Sequence, residues 1–303
     1  MIWTPEAALN RDPYKVLLKR GEFIDESRDS RPVPYKIYYP SDYDQAIKAP
    51  VIIWSHGFGG NRDGASFISR YVASHGYVIV HLTHLGTDSS LWEGKEGHPW
   101  DILRKAKISR ETTLNRMYDV PFALDQLEHW AQENPDVGQI MDMGNIGMSG
   151  HSFGAMTTQV MAGMKFPDHS KELKDMRDKR IRAGILYSPV PIGHITDEKP
   201  ELVYGPISIP LLHMTGTDDD SPLDGYDYTY RLVIHEHSGH PEKYLHILQD
   251  GDHMVYNGTR GKLGVNPNRE IHEEEIMVKS LAFWEGYLKD ESHAIDYLKS
   301  QGL

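Results

Sequence analysis

The residues Gly150-His151-Ser152-Phe153-Gly154 fit the spacing G-x-S-x-G. They fall between a run that reads as a strand, Asn145-Ile146-Gly147-Met148-Ser149, and one that reads as a helix, Ala155 to Met164. The five letters alone recur by chance in many chains; the strand before and the helix after give them weight. A serine on a sharp strand-to-helix turn takes a strained backbone and needs small neighbours, here Gly150 and Gly154. Such a turn lifts the hydroxyl above the sheet, near the positive end of the following helix. The chemistry it suits is nucleophilic attack on an acyl carbon.

A serine hydroxyl is a weak nucleophile until a base takes its proton and an acid orients that base. On strand-turn-helix scaffolds the three follow the order serine, acid, histidine. Of the histidines after Ser152, His253 directly follows a strand, Lys243 to Leu248, through Gln249-Asp250-Gly251-Asp252. His246 lies inside that strand and reads as a packing residue. The acid belongs after the preceding strand, Ile209 to Met214, where Asp218, Asp219 and Asp220 stand in a row. Alternation in an extended loop points Asp219 away from its two neighbours, but the pattern leaves all three open.

A developing oxyanion needs two N–H donors fixed before reaction. The N–H of Phe153 is one candidate. The N–H of Phe58 is the other, in the turn His56-Gly57-Phe58 after the apolar run Val51-Ile52-Ile53-Trp54. Trp92, His151, Tyr187 and Met254 adjoin these turns, as do Phe58 and Pro189, and are the candidates for the walls of a substrate pocket. The cluster His235-Glu236-His237-Ser238-Gly239-His240 lacks the i, i+4 histidine spacing of a helical zinc site, so no metal or other cofactor is expected. Gly258 to Gly264 is glycine-rich without a helix to follow, and reads as a loop.

Around these motifs, short apolar runs alternate with helical patterns. Val33 to Tyr39 reads as an early antiparallel strand, and Tyr77 to Leu82 and Arg182 to Tyr187 as buried strands. Helices are expected over Ala65–His75, Leu114–Trp130 with Pro121 inside, and His272–Leu288. This alternation predicts an α/β fold with a mostly parallel sheet covered on both faces, and reactive groups beyond the carboxyl ends of its strands. One domain over 1–303 is expected, with 84–110 and 165–205 as excursions that cap or line the cleft. The formal charge of −12 disfavours nucleic acid as a partner, and no apolar run is long enough to span a membrane. With no cysteine and no apolar leader at Met1-Ile2-Trp3, the chain as written reads as cytoplasmic, acting on a small-molecule ester; its oligomeric state is not legible.

Taken in order, several segments resemble the dienelactone-hydrolase-like branch of the α/β-hydrolases, and more narrowly the bacterial relatives of platelet-activating-factor acetylhydrolase. They are Trp54 to Arg62, Ser74 to Val78, Asn115-Arg116, Asp119-Val120, Gly147 to Gly154 and Thr215-Gly216-Thr217. The resemblance implies the α/β-hydrolase fold and hydrolysis of carboxylic esters with short acyl groups. It implies the triad Ser152, Asp219 and His253, because the acid of that group follows a G-T-x-D pattern. A rule from other branches, an acid four residues before a proline, selects Asp218 instead. Dienelactone hydrolases proper use cysteine where this chain has Ser152, which favours ester over lactone chemistry. Polyester hydrolases share the Gly-His-Ser-x-Gly turn. Thioesterases, peptidases and acyltransferases share the triad, and a non-catalytic binding protein would have lost part of it.

Overall fold

A computed structural model of the chain describes residues 3–11, 13–258 and 266–302. Among them, eight strands form one sheet: β1 (Val16–Asp25), β2 (Arg31–Pro40), β3 (Ala49–Ser55), β4 (Val78–Leu82), β5 (Met141–His151), β6 (Ile181–Tyr187), β7 (Leu211–Asp218) and β8 (Lys243–Asp252). Their order across the sheet is β1-β2-β4-β3-β5-β6-β7-β8. β2 runs antiparallel to β1 and β4, and the remaining neighbours pair in parallel.

The run at β3 shows why the central strands read as unbroken apolar stretches. Val51 and Ile53 point into one apolar layer, with Leu114, Met117 and Val120 of α2 (Arg110–Glu133) and Val160 of α3 (Phe153–Met161). Ile52 and Trp54 point into the other, with Ile68 and Val72 of α1 (Ser66–Ser74) and Leu281 and Trp284 of α4 (Arg269–Leu288). A strand covered on both faces loses the polar alternation of a half-exposed one. The α4 layer is tight: a Cβ on Gly147 of β5 would stand 2.6 Å from the Trp284 ring.

The expected elements recur with shifted ends, and an edge strand and a C-terminal helix are among those not foreseen. β1 is an edge strand whose mixed exposure gives no clean alternation. The helix α5 (Ser292–Ser300) buries only Ala294 and Leu298. The helix expected from Leu114 begins at Arg110, where Ser109 caps it by accepting from the Thr112 N–H at 3.0 Å, and it continues through Pro121. Most of the glycine-rich stretch expected as a loop, 259–264, lies outside the described residues.

Several histidines are buried in neutral form. His81 Nδ1 lies 3.1 Å from the Arg62 carbonyl, which can only accept, so Nδ1 carries the hydrogen and Nε2 accepts from Ser69 Oγ at 2.6 Å. Burial pushes His81, His151 and His213 down to about 3, and His84 to about 4. In the unfolded chain they titrate near 6.5, so their stabilising contribution is complete above that pH. It is lost as pH falls towards the folded values, by up to about 1.4 kcal/mol per histidine per pH unit. The urea midpoint should therefore drop steeply between about pH 6.5 and 5; a flat midpoint across that range would contradict the neutral burial.

Candidate active site

Ser152 occupies the turn between β5 and α3 with φ 55° and ψ −117°. A non-glycine residue there is strained by about 1–3 kcal/mol, and surrounding structure has to hold it. Its N–H donates to Tyr187 O at 2.9 Å, and its carbonyl accepts from Met156 N at 3.0 Å. The two glycines of the motif serve close approach. A Cβ on Gly154 would lie 1.9 Å from Ser55 O, and one on Gly150 would lie 2.3 Å from Gly154 O. Without side chains at these points, the start of α3 packs directly on the end of β3.

Asp219 and His253 stand beyond the ends of β7 and β8. A register shift between Leu248 and Asp252 and a positive φ of 59° at Asp250 turn the end of β8, and Gly216 lets it pass: a Cβ there would meet Gly251 O at 2.1 Å. His253 Nδ1 lies 2.6 Å from Asp219 Oδ1. The carboxylate is fully buried, takes a hydrogen bond from Thr215 Oγ1 at 2.8 Å, and sits 3.1 Å from Arg231 Nη2. Burial alone would raise its pKa, but the charge of Arg231 and the contact with His253 outweigh it and hold Asp219 below the ordinary carboxyl value. An ionised Asp219 accepts from Nδ1–H, which leaves Nε2 of His253 free to take a proton. Asp218 and Asp220 are exposed. Ser152 and His253 both line the cleft, and no hydrogen bond joins hydroxyl to Nε2 here. Such bonds commonly tighten only when substrate is seated.

The N–H groups of Phe58 and Phe153 have no acceptor among the described residues, and each is aimed by its own peptide plane. Because a trans peptide sets its C=O and N–H in opposite directions, fixing Gly57 O fixes the N–H of Phe58. Gly57 O accepts from Gly60 N at 3.0 Å and from His56 Nδ1 at 2.7 Å. The His84 N–H donates to His56 Nε2 at 3.0 Å, so the imidazole must carry its hydrogen on Nδ1. For Phe153 the corresponding carbonyl is Ser152 O, held by Met156 N in the first turn of α3. Gly57 brings the two turns together: a Cβ on it would be 3.5 Å from Ser152 Cβ.

The cleft above these groups encloses about 880 Å³. Phe58, Trp92, His151 and Met254 line it, as placed from the sequence. Tyr187 does not, which corrects the expectation. Its side chain points under the site, fully buried, with its hydroxyl 2.7 Å from Ser280 Oγ. There it belongs to a column of rings: Trp54 to Tyr187 at 5.4 Å, Tyr187 to Tyr256 at 5.3 Å, Tyr256 to His151 at 5.8 Å and His151 to His253 at 4.6 Å. Pro189 is also buried, its carbonyl accepting from Arg231 at 2.9 Å. The segments 84–110 and 165–205 supply further walls, among them Trp100, Leu103, Phe166 and Ile195. None of these four, nor Arg231, carries a motif that marks it in the sequence.

Residues 31–93 match the family model described as platelet-activating factor acetylhydrolase, isoform II. The match runs from β2 past the His56-Gly57-Phe58 turn into the first covering segment, and stops short of Ser152, Asp219 and His253. The chain has the α/β-hydrolase fold. The same match supports a hydrolase of the serine-esterase type in general. It does not reach the finer dienelactone-hydrolase-like resemblance read from the sequence.

The geometry separates the neighbouring acids. Asp219→Asn should lower kcat by about 10⁴, because the amide cannot hold the imidazole in the required tautomer. Asp218→Asn, at an exposed position, should stay within about twofold. Steady-state kinetics on any turned-over ester checks this, and the reverse ranking would move the acid to Asp218.

Proposed function

We propose that the protein is a carboxylic-ester hydrolase working through an acyl-enzyme on Ser152. The observation that carries this reading is the strained serine at φ 55°, in one cleft with a histidine whose Nδ1 lies 2.6 Å from a buried, arginine-paired aspartate. In the proposed cycle Ser152 Oγ attacks the ester carbon while His253 Nε2 takes its proton. Asp219 holds Nδ1–H and stabilises the imidazolium. The carbonyl oxygen becomes an oxyanion between the N–H groups of Phe58 and Phe153, each of which would be worth about 3–4 kcal/mol in the transition state. His253 returns the proton to the departing alkoxide. Water, deprotonated by the same imidazole, then adds to the acyl carbon and frees Ser152.

Short acyl groups follow from the resemblance. The cleft itself suits a bulkier alcohol: it is within the size range of small-molecule sites, and Trp92, Trp100, Leu103 and Ile195 give it apolar walls. Neither cofactor nor metal is part of this mechanism.

The test is hydrolysis of p-nitrophenyl esters from acetate to palmitate, before and after treatment with a fluorophosphonate. Expected are turnover highest at short chains, a single phosphonate adduct on Ser152, and loss of about 10⁴ or more in Ser152→Ala with the fold intact by circular dichroism. Turnover retained in Ser152→Ala would sink the assignment.

A further inference from the structure

We infer that Arg116 is a positioning residue for acyl transfer, one guanidinium bracing both segments that carry the oxyanion donors. The inference rests on the serine-esterase reading above. Arg116 lies on α2 and is fully buried. Its Nη2 donates to Ser55 Oγ at 2.8 Å and to the carbonyl of His56, at the start of the turn that bears Phe58 N–H. Its Nε donates to Thr157 Oγ1 at 2.8 Å, and that hydroxyl donates in turn to Phe153 O at 2.9 Å. Its Cζ lies 4.5 Å from the centre of the Phe153 ring. Its Nη1 donates to Thr87 Oγ1 at 2.9 Å, whose own hydrogen goes to His84 O at 3.0 Å.

Three hydroxyls around the guanidinium are polarised the same way. Thr157 and Thr87 spend their hydrogens on carbonyls. Ser55 Oγ is 3.0 Å from His84 Nε2, and His84 Nδ1 is 3.0 Å from Asp119 Oδ2. Because Asp119 accepts from Nδ1–H, Nε2 must accept from Ser55, leaving the Ser55 lone pairs to Arg116. Ser55, His84 and Asp119 thus have the bonding order of a second serine–histidine–aspartate set. All three have no exposed surface, and the set ends on Arg116, so it is a polarised support and not a reactive centre.

Among the described residues no carboxylate touches Arg116. Asp119, one turn along α2, is engaged by Arg31 at 2.8 Å, Arg28 at 2.9 Å and His84 at 3.0 Å. A buried cation without a contact anion is expensive, and an apolar side chain of similar size would often brace a core as well or better. Keeping a cation at this point makes sense when charge develops nearby. Arg116 fixes the spacing between the two donor turns and adds positive potential behind the site of the oxyanion.

The test compares wild type, Arg116→Lys and Arg116→Met, with Ser152→Ala as reference. It reads kcat and KM on p-nitrophenyl butyrate. It also reads affinity for a trifluoromethyl ketone, which forms a tetrahedral adduct, against its unactivated methyl-ketone counterpart. Arg116→Met should lower kcat by about 10² to 10³, the size of a lost oxyanion donor, and weaken the trifluoromethyl ketone by a similar factor. KM and methyl-ketone affinity should stay within about threefold, with the lysine variant between the two. Should Arg116→Met fail to fold, Thr157→Val keeps the side-chain shape and removes one acceptor; kcat and trifluoromethyl-ketone affinity should still fall together. A variant that folds with lower thermal stability but unchanged kcat and trifluoromethyl-ketone affinity overturns the inference. Turnover surviving in Ser152→Ala overturns instead the esterase reading beneath it.

Discussion

Because a Cβ at residue 154 would stand 1.9 Å from the Ser55 carbonyl, the serine turn packs on β3 only as long as that position is glycine. Much of the site depends on this contact. It brings the end of β5 against the end of β3, so Phe153 and Phe58, 95 residues apart in sequence, present their N–H groups to one cleft. It also places the first turn of α3 where Thr157 meets the Arg116 guanidinium. The positive φ of Ser152 is the local strain that this packing holds in place.

A second constraint is the management of buried charge. Two carboxylates have no exposed surface, Asp219 beyond β7 and Asp119 on α2, and each is paired with arginine and histidine. Removing one partner from such a set leaves an uncompensated charge, which costs far more than the pair contributes. These groups therefore tie the strand ends and α2 to one geometry. The acidic surface plays no part in this.

The parallel sheet was legible because doubly covered strands are written as continuous apolar runs, and β3, β4 and β6 are of that kind. β1 escaped because an edge strand answers to solvent on one side, and α5 because two buried residues make no stripe. Ser152, His253 and the run Asp218-Asp219-Asp220 were legible as residues just past strand ends, where a parallel sheet presents its loops. Among the three acids the residue pattern left the choice open and the resemblance favoured Asp219. That it is the one buried beside His253 could not be read from the sequence, because burial and reach are set by the turn after β7. Tyr187 was misread for the same reason: adjacency to a strand end does not say on which side of the sheet a ring falls. Arg116 left a trace, a charge beside the stripe of Leu114, Met117 and Val120, but its partners come from β3, the loop after β4 and α3. Arg231 left none.

The column of rings that runs from the core to the cleft bears on how the His253 imidazole is held. Trp54, Tyr187, Tyr256, His151 and His253 follow one another at centroid spacings of 4.6 to 5.8 Å, and His151 Nε2 also donates to the His253 carbonyl at 2.8 Å. A ring packed against such neighbours turns only by displacing them. In the proposed cycle, the entropy of orienting the imidazole has then been lost during folding, and little of it remains to be lost at the moment a proton moves. On that mechanism the aromatic core belongs to the energetics of turnover as much as to the stability of the chain.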